Sequence, residues 1–129
     1  MAKLSDEMKK IQHQRKEALD RAMDAWINMD RGIAHHKSLL NQLFDWFITE
    51  VSQGDSYLHI SKDDDGVYYC RIEVKTGKNT FSVNGIAHAD RVELKIGNQS
   101  FGSSDLTQLK ESLEQKFLAW YKEIQLSSL

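Results

Sequence analysis

The stretch Leu39-Leu40-Asn41-Gln42-Leu43-Phe44-Asp45-Trp46-Phe47-Ile48-Thr49-Glu50-Val51, closed by Ser52-Gln53-Gly54, is where the hydrophobic pattern of this chain changes period. Up to Gly54 the apolar residues return every three or four positions, which aligns them along one face of an α-helix. Beyond it they alternate, as on a strand with one dry and one wet face. The expected fold is therefore α+β: a long N-terminal helix, a four- or five-stranded antiparallel meander and a C-terminal helix, with both helices on one sheet face.

Traced back toward the N-terminus, the helical seam reads Leu4, Met8, Ile11, Arg15, Ala18, Ala22, Trp26, Met29, Ile33, His36, Leu40, Leu43, Phe47 and Val51. Its steps of four and three are heptad-like and predict a coiled coil, interrupted by a stutter at Ala18-Ala22-Trp26. Ser5 is placed to cap the helix, with Asp6 and Glu7 in its first turn. A helix from Ser5 to about Ser52 would be roughly 70 Å long at 1.5 Å per residue. A compact unit of this size is only about 30–40 Å across, so residues 1–30 are expected to project as an arm from a single 1–129 domain. Gly32 marks the rival, a hairpin of two helices over about 5–31 and 33–52, because glycine is favoured just past a helix C-terminus.

Traced forward, Leu58 and Ile60 alternate with Tyr57, His59 and Ser61, and Asp63-Asp64-Asp65-Gly66 predicts a turn. Tyr68, Cys70, Ile72 and Val74 then alternate with Tyr69, Arg71, Glu73 and Lys75. Gly77-Lys78-Asn79 and Gly97-Asn98 predict reversals, Asn84-Gly85 predicts a hairpin, and Val92, Leu94 and Ile96 form a further alternating run. Ser104 is expected to cap a last helix on which Leu106, Leu109, Leu113, Phe117, Trp120 and Ile124 share one side.

Composition narrows the function classes. Seventeen basic and nineteen acidic residues leave a formal charge of −2 over 129 residues, with no global field to attract nucleic acid or an anionic membrane. No segment approaches the roughly twenty consecutive apolar residues of a membrane span, and the first residues lack a signal-peptide pattern, so the expected location is the cytoplasm. Cys70 is the single cysteine and lies in an apolar run, which predicts a buried thiol.

No catalytic motif emerges, and neither an enzyme nor a cofactor is expected. His35 and His36 are adjacent, so their side chains diverge by about 100° on a helix; a metal site would need one of them with His59, His88 and Cys70 from separate elements. That small metal-dependent enzyme is one alternative. The Asp63–Gly66 run resembles part of a calcium loop, but Ile72 stands where the loop requires a bidentate glutamate. His88 and Asp90 would share a side if strand geometry held there.

The expected function is a non-catalytic, regulatory protein-interaction module of adaptor, chaperone or inhibitor type, assembling as a homodimer or with a larger protein through Met8, Ile11, Ala18, Ala22, Trp26 and Met29. The second alternative is a nucleic-acid-associated regulator using the polar sheet face at Tyr69, Arg71, Lys75, Arg91 and Lys95, where aromatics and cations could stack bases or meet phosphates, or using the basic start of the first helix. Glu73 and Glu93 stand in the same rows and would pair across strands without a ligand.

Overall fold

A computed structural model describes residues 2–127; Met1, Ser128 and Leu129, the ends of the expected 1–129 unit, lie outside them. The elements in chain order are α1 (Ala2–Gly54), β1 (His59–Asp64), β2 (Tyr69–Thr76), β3 (Asn79–Ala87), β4 (Val92–Ile96), β5 (Gln99–Ser103) and α2 (Leu106–Ser127). The sheet is an antiparallel meander in the order β1-β2-β3-β4-β5, and both helices pack on its apolar face.

Helix α1 runs unbroken for 53 residues, about 80 Å. It starts ahead of Ser5, so Ser5 lies inside the helix and does not cap it. Gly32 is also interior, and the hairpin alternative does not occur. The glycine serves close approach: a Cβ there would run into the carbonyl oxygen of Ala89 in the β3–β4 connection, with the Ala89 Cα only 3.0 Å away. Contact with the connection offsets the helix propensity of about 1 kcal/mol that glycine forfeits.

A second glycine repeats the device from the sheet side. Asn84-Gly85 is not a hairpin turn; β3 passes straight through it, and the reversal falls at residues 88–91. A Cβ on Gly85 would collide with the Leu40 side chain and stand 3.0 Å from Phe44 Cζ, so glycine lets α1 seat on the centre of the sheet. The real two-residue turns are Gly77-Lys78, between paired Thr76 and Asn79, and Gly97-Asn98, between paired Ile96 and Gln99. Each opens with a glycine at positive φ (56° and 59°) followed by a residue at negative φ, the pattern that matches strand twist.

The core is formed by Leu40, Leu43, Phe44, Phe47 and Val51 of α1, by Cys70, Ile72, Val74, Phe81, Val83, Val92 and Leu94 of the sheet, and by Leu109, Leu113 and Phe117 of α2. Phe117 sits edge-on to Phe47 at 5.2 Å and to Phe81 at 5.4 Å between ring centroids. Trp120 is partly buried beside them. The N-cap of α2 is Asp105, not Ser104: its Oδ1 accepts the Thr107 N–H at 3.0 Å.

The coiled-coil expectation is overturned. The seam from His36 to Val51 is closed by a β-sheet, and among the described residues no helix pairs along the seam that precedes it. The physical reason is that a 3–4 spacing specifies only a straight apolar stripe. A sheet satisfies that stripe as well as a second helix does, and here the alternating strands supply the cover.

Candidate interaction surface

From Lys3 to Arg31 every residue of α1 is exposed, so the helix overhangs its own sheet by about 45 Å. The apolar seam does not stop where the sheet does. Ile33, Leu40, Leu43, Phe47 and Val51 lie at least half-buried over the strands, and the same face of the same rod continues uncovered through Met29, Trp26, Ala22, Ala18, Ile11 and Met8. Trp26 is 77% exposed, Ile11 64% and Met8 54%. Leu19, Met23 and Ile27, also exposed, form an adjacent stripe at four-residue spacing. The seam reading missed that stripe, although its i, i+4, i+8 spacing is visible in the sequence.

A nearly buried ion pair ties the covered half of α1 to β1, with Lys62 of β1 reaching Asp45 at 3.7 Å beside it. Lys37 is nearly buried, and its Nζ donates to Asp64 Oδ1 at 2.7 Å and to Asn41 Oδ1 at 3.0 Å. The hydrogen bond from Lys37, joined by the Gly66 N–H, holds the Asp64 carboxyl below its ordinary range. His36, also buried, donates its Nδ1–H to the Gly32 carbonyl at 2.8 Å. It therefore supports the helix at the Ala89 crossing.

The Asp63–Gly66 run closes the β1–β2 turn through its own carboxylates. Asp65 Oδ1 accepts the N–H groups of Val67, Tyr68 and Tyr69 at 2.8–3.0 Å, which pulls its pKa down, and Asp64 Oδ1 accepts from Gly66 at 2.7 Å. Among the described residues no cluster of three or more His, Cys, Asp or Glu side chains is grouped to hold a metal. His88 and Asp90 do not act together: His88 donates Nε2–H to Glu93 Oε1 at 2.9 Å, while Asp90 pairs with Arg91. Cys70 is buried at the sheet centre, where desolvation pushes its thiol up to about 11, unsuited to nucleophilic chemistry.

On the polar sheet face, cross-strand register aligns Asp63, Arg71, Asn84 and Lys95 in one row. Arg71 pairs with Glu73 at 2.6 Å and Lys75 with the same carboxylate at 3.3 Å. The Tyr69 hydroxyl donates to Asn84, and Arg91 lies ahead of β4 beside Asp90. Glu93, lowered in pKa by His88 and then Ser100, stands in the row next to Lys95. The five residues predicted for this face thus share it with paired carboxylates, and three of their four cations are already partnered on it.

A groove of about 210 Å³ opens between the last turns of α1 and the middle of α2. Trp46, Phe47, Val51, Leu58, Phe117 and Tyr121 give it apolar walls, while Glu50, Asp55 and Glu114 bring carboxylates to it. The Tyr121 hydroxyl donates to Asp55 Oδ2 at 2.8 Å, which raises the phenol's pKa and ties α2 to the end of α1. Sequence spacing could not announce this groove, because its walls come from segments some sixty residues apart. No helix among the described residues is long and apolar enough to cross a membrane. Comparison of the chain with family models, curated proteins and solved structures returned no match.

Proposed function

We propose that this chain is a non-catalytic protein-binding module of adaptor, chaperone or inhibitor type, with the overhanging half of α1 as its binding surface. The observation that carries this reading is the continuity of one apolar face past the edge of the sheet that covers it. A solvated arm has no reason to keep Met8, Ile11, Trp26 and Met29 on the core-facing side, whereas an arm that docks into a partner does. Trp26 is the central anchor: burying an exposed indole removes on the order of 150 Å² from water, about 4 kcal/mol gross at 25 cal/mol per Å². Alanine there should weaken assembly by about 2 kcal/mol or more. A cytoplasmic location belongs to this reading.

The test is Trp26→Ala in the full chain, with mass in solution and partner binding compared with the parent protein. Because Trp26 touches no part of the core, the variant should melt like the parent. Unchanged self-association and unchanged partner binding in the folded variant would overturn the role given to the arm.

A further inference from the structure

Resting on that reading of the arm, we infer that its docking site is the acidic apolar groove of a second copy of this chain, and that two copies exchange arms in antiparallel fashion. The first observation is charge. Residues 3–16 of α1 carry Lys3, Lys9, Lys10, Arg15 and Lys16 against Asp6 and Glu7. Residues 17–30 reverse the sign, with Glu17, Asp20, Asp24 and Asp30 against Arg21. Residues 31–44 hold Arg31 and Lys37 and no acid, and residues 45–55 hold Asp45, Glu50 and Asp55 and no base. Lys37 is already matched by Asp64 and Asp45 by Lys62, so Arg31 carries the third block and Glu50 and Asp55 the fourth. Four blocks of alternating sign on one rod are complementary to a second rod laid antiparallel: the basic first block meets the acidic fourth, and the acidic second meets the third.

The second observation is the groove itself. It adjoins the acidic fourth block, adds Glu114 from α2, and presents apolar walls suited to Met8 and Ile11. The third is reach. Lys10 and Glu50 lie on one unbroken helix, about 60 Å apart at 1.5 Å per residue, so an arm cannot enter the groove of its own chain. Setting Lys10 of one copy against Glu50 of the other puts the symmetry axis close to Met29. The contact is then made twice by one twofold operation, and the assembly closes without leaving an arm free. Trp26 falls beside the axis, where two copies of the largest exposed side chain meet the partner's α1.

The experiment is sedimentation of the full chain across a wide concentration range, for the parent, Glu50→Lys/Glu114→Lys, Lys10→Glu/Arg15→Glu, and all four changes together. All four positions lie outside the buried core, so far-ultraviolet circular dichroism should report intact folds. The parent should sediment as a dimer of twice 14.9 kDa. Each double reversal should raise its dissociation constant at least about tenfold, and the fourfold variant should recover most of that loss. A dimer indifferent to Glu50→Lys/Glu114→Lys overturns the groove. If Met8→Ser/Ile11→Ser dissociates that same dimer, the arm remains the binding surface and only its assigned seat is wrong. A parent that stays monomeric at every concentration overturns the exchange, and partner binding by Trp26→Ala then decides separately whether the arm binds another protein.

Discussion

Replacing Gly32 by alanine sets two effects of opposite sign against each other. In an ordinary helix interior the change removes the conformational freedom of glycine from the unfolded chain and is stabilising by about 1 kcal/mol. Here the new methyl would run into the Ala89 carbonyl oxygen, with the Ala89 carbonyl carbon and Cα both at 3.0 Å. These are backbone atoms and cannot rotate aside. The connection that carries them is pinned on both flanks: the Ala87 N–H donates to the Tyr68 carbonyl at 2.7 Å, and the His88 N–H to the Arg91 carbonyl at 2.8 Å. Forcing a methyl into a filled contact costs about 1–3 kcal/mol. The clash outweighs the propensity gain over most of that range, for a net loss of about 1 kcal/mol. Urea unfolding should show a lower midpoint at unchanged slope, and the melting temperature should drop by about 3–5 °C for a chain of this size. A rise in stability would refute the reasoning, because it would mean that the helix stands clear of the loop and that Gly32 is a plain helix glycine.

Phe117→Ala should destabilise the fold by about 3–5 kcal/mol, since it empties the ring cluster shared with Phe47 and Phe81; a change below about 1 kcal/mol in denaturant unfolding would contradict the packing of α2. Trp120→Ala should cost less, because that side chain is only partly buried. The Asp64 carboxyl is lowered by its hydrogen bond from Lys37, so the pair's stabilisation is fully present above the ordinary value of 3.8 and is lost as pH falls through the lower folded value. Asp64→Asn should flatten that acid limb of the stability profile and cost about 1–3 kcal/mol at neutral pH; an unchanged limb would remove the pair from the account. The Cys70 thiol should react with an alkylating reagent at pH 8 only as fast as the chain unfolds, and labelling of the native protein at the rate of a free thiol would contradict its burial.

Two glycines show how a local signal can be right in kind and misread in purpose. Gly32 offers the rival reading of a helix stop and Asn84-Gly85 that of a hairpin, each from the behaviour of short segments in isolation. Both mark places where two elements approach too closely for a Cβ, one between α1 and the β3–β4 connection and one between α1 and β3. Together they set how α1 lies across the sheet, and hence how much of it overhangs.

The sequence alone determined the element types, the single apolar stripe of α1, the alternating faces of the strands and the buried place of Cys70. These follow from spacings of two, three and four residues, which every segment carries within itself. It also placed Met8, Ile11, Trp26 and Met29 on the face that continues the seam, where all four are exposed. The tertiary structure decided that a sheet, not a second helix, closes the stripe, and that the cover ends near Gly32. It decided too that Lys37 meets Asp64 across 27 positions, and that Tyr121 meets Asp55 across 66 to form the groove. Pairings at such separations leave no period in the chain. They arise only when the docking of α1 on β3 fixes which distant side chains become neighbours.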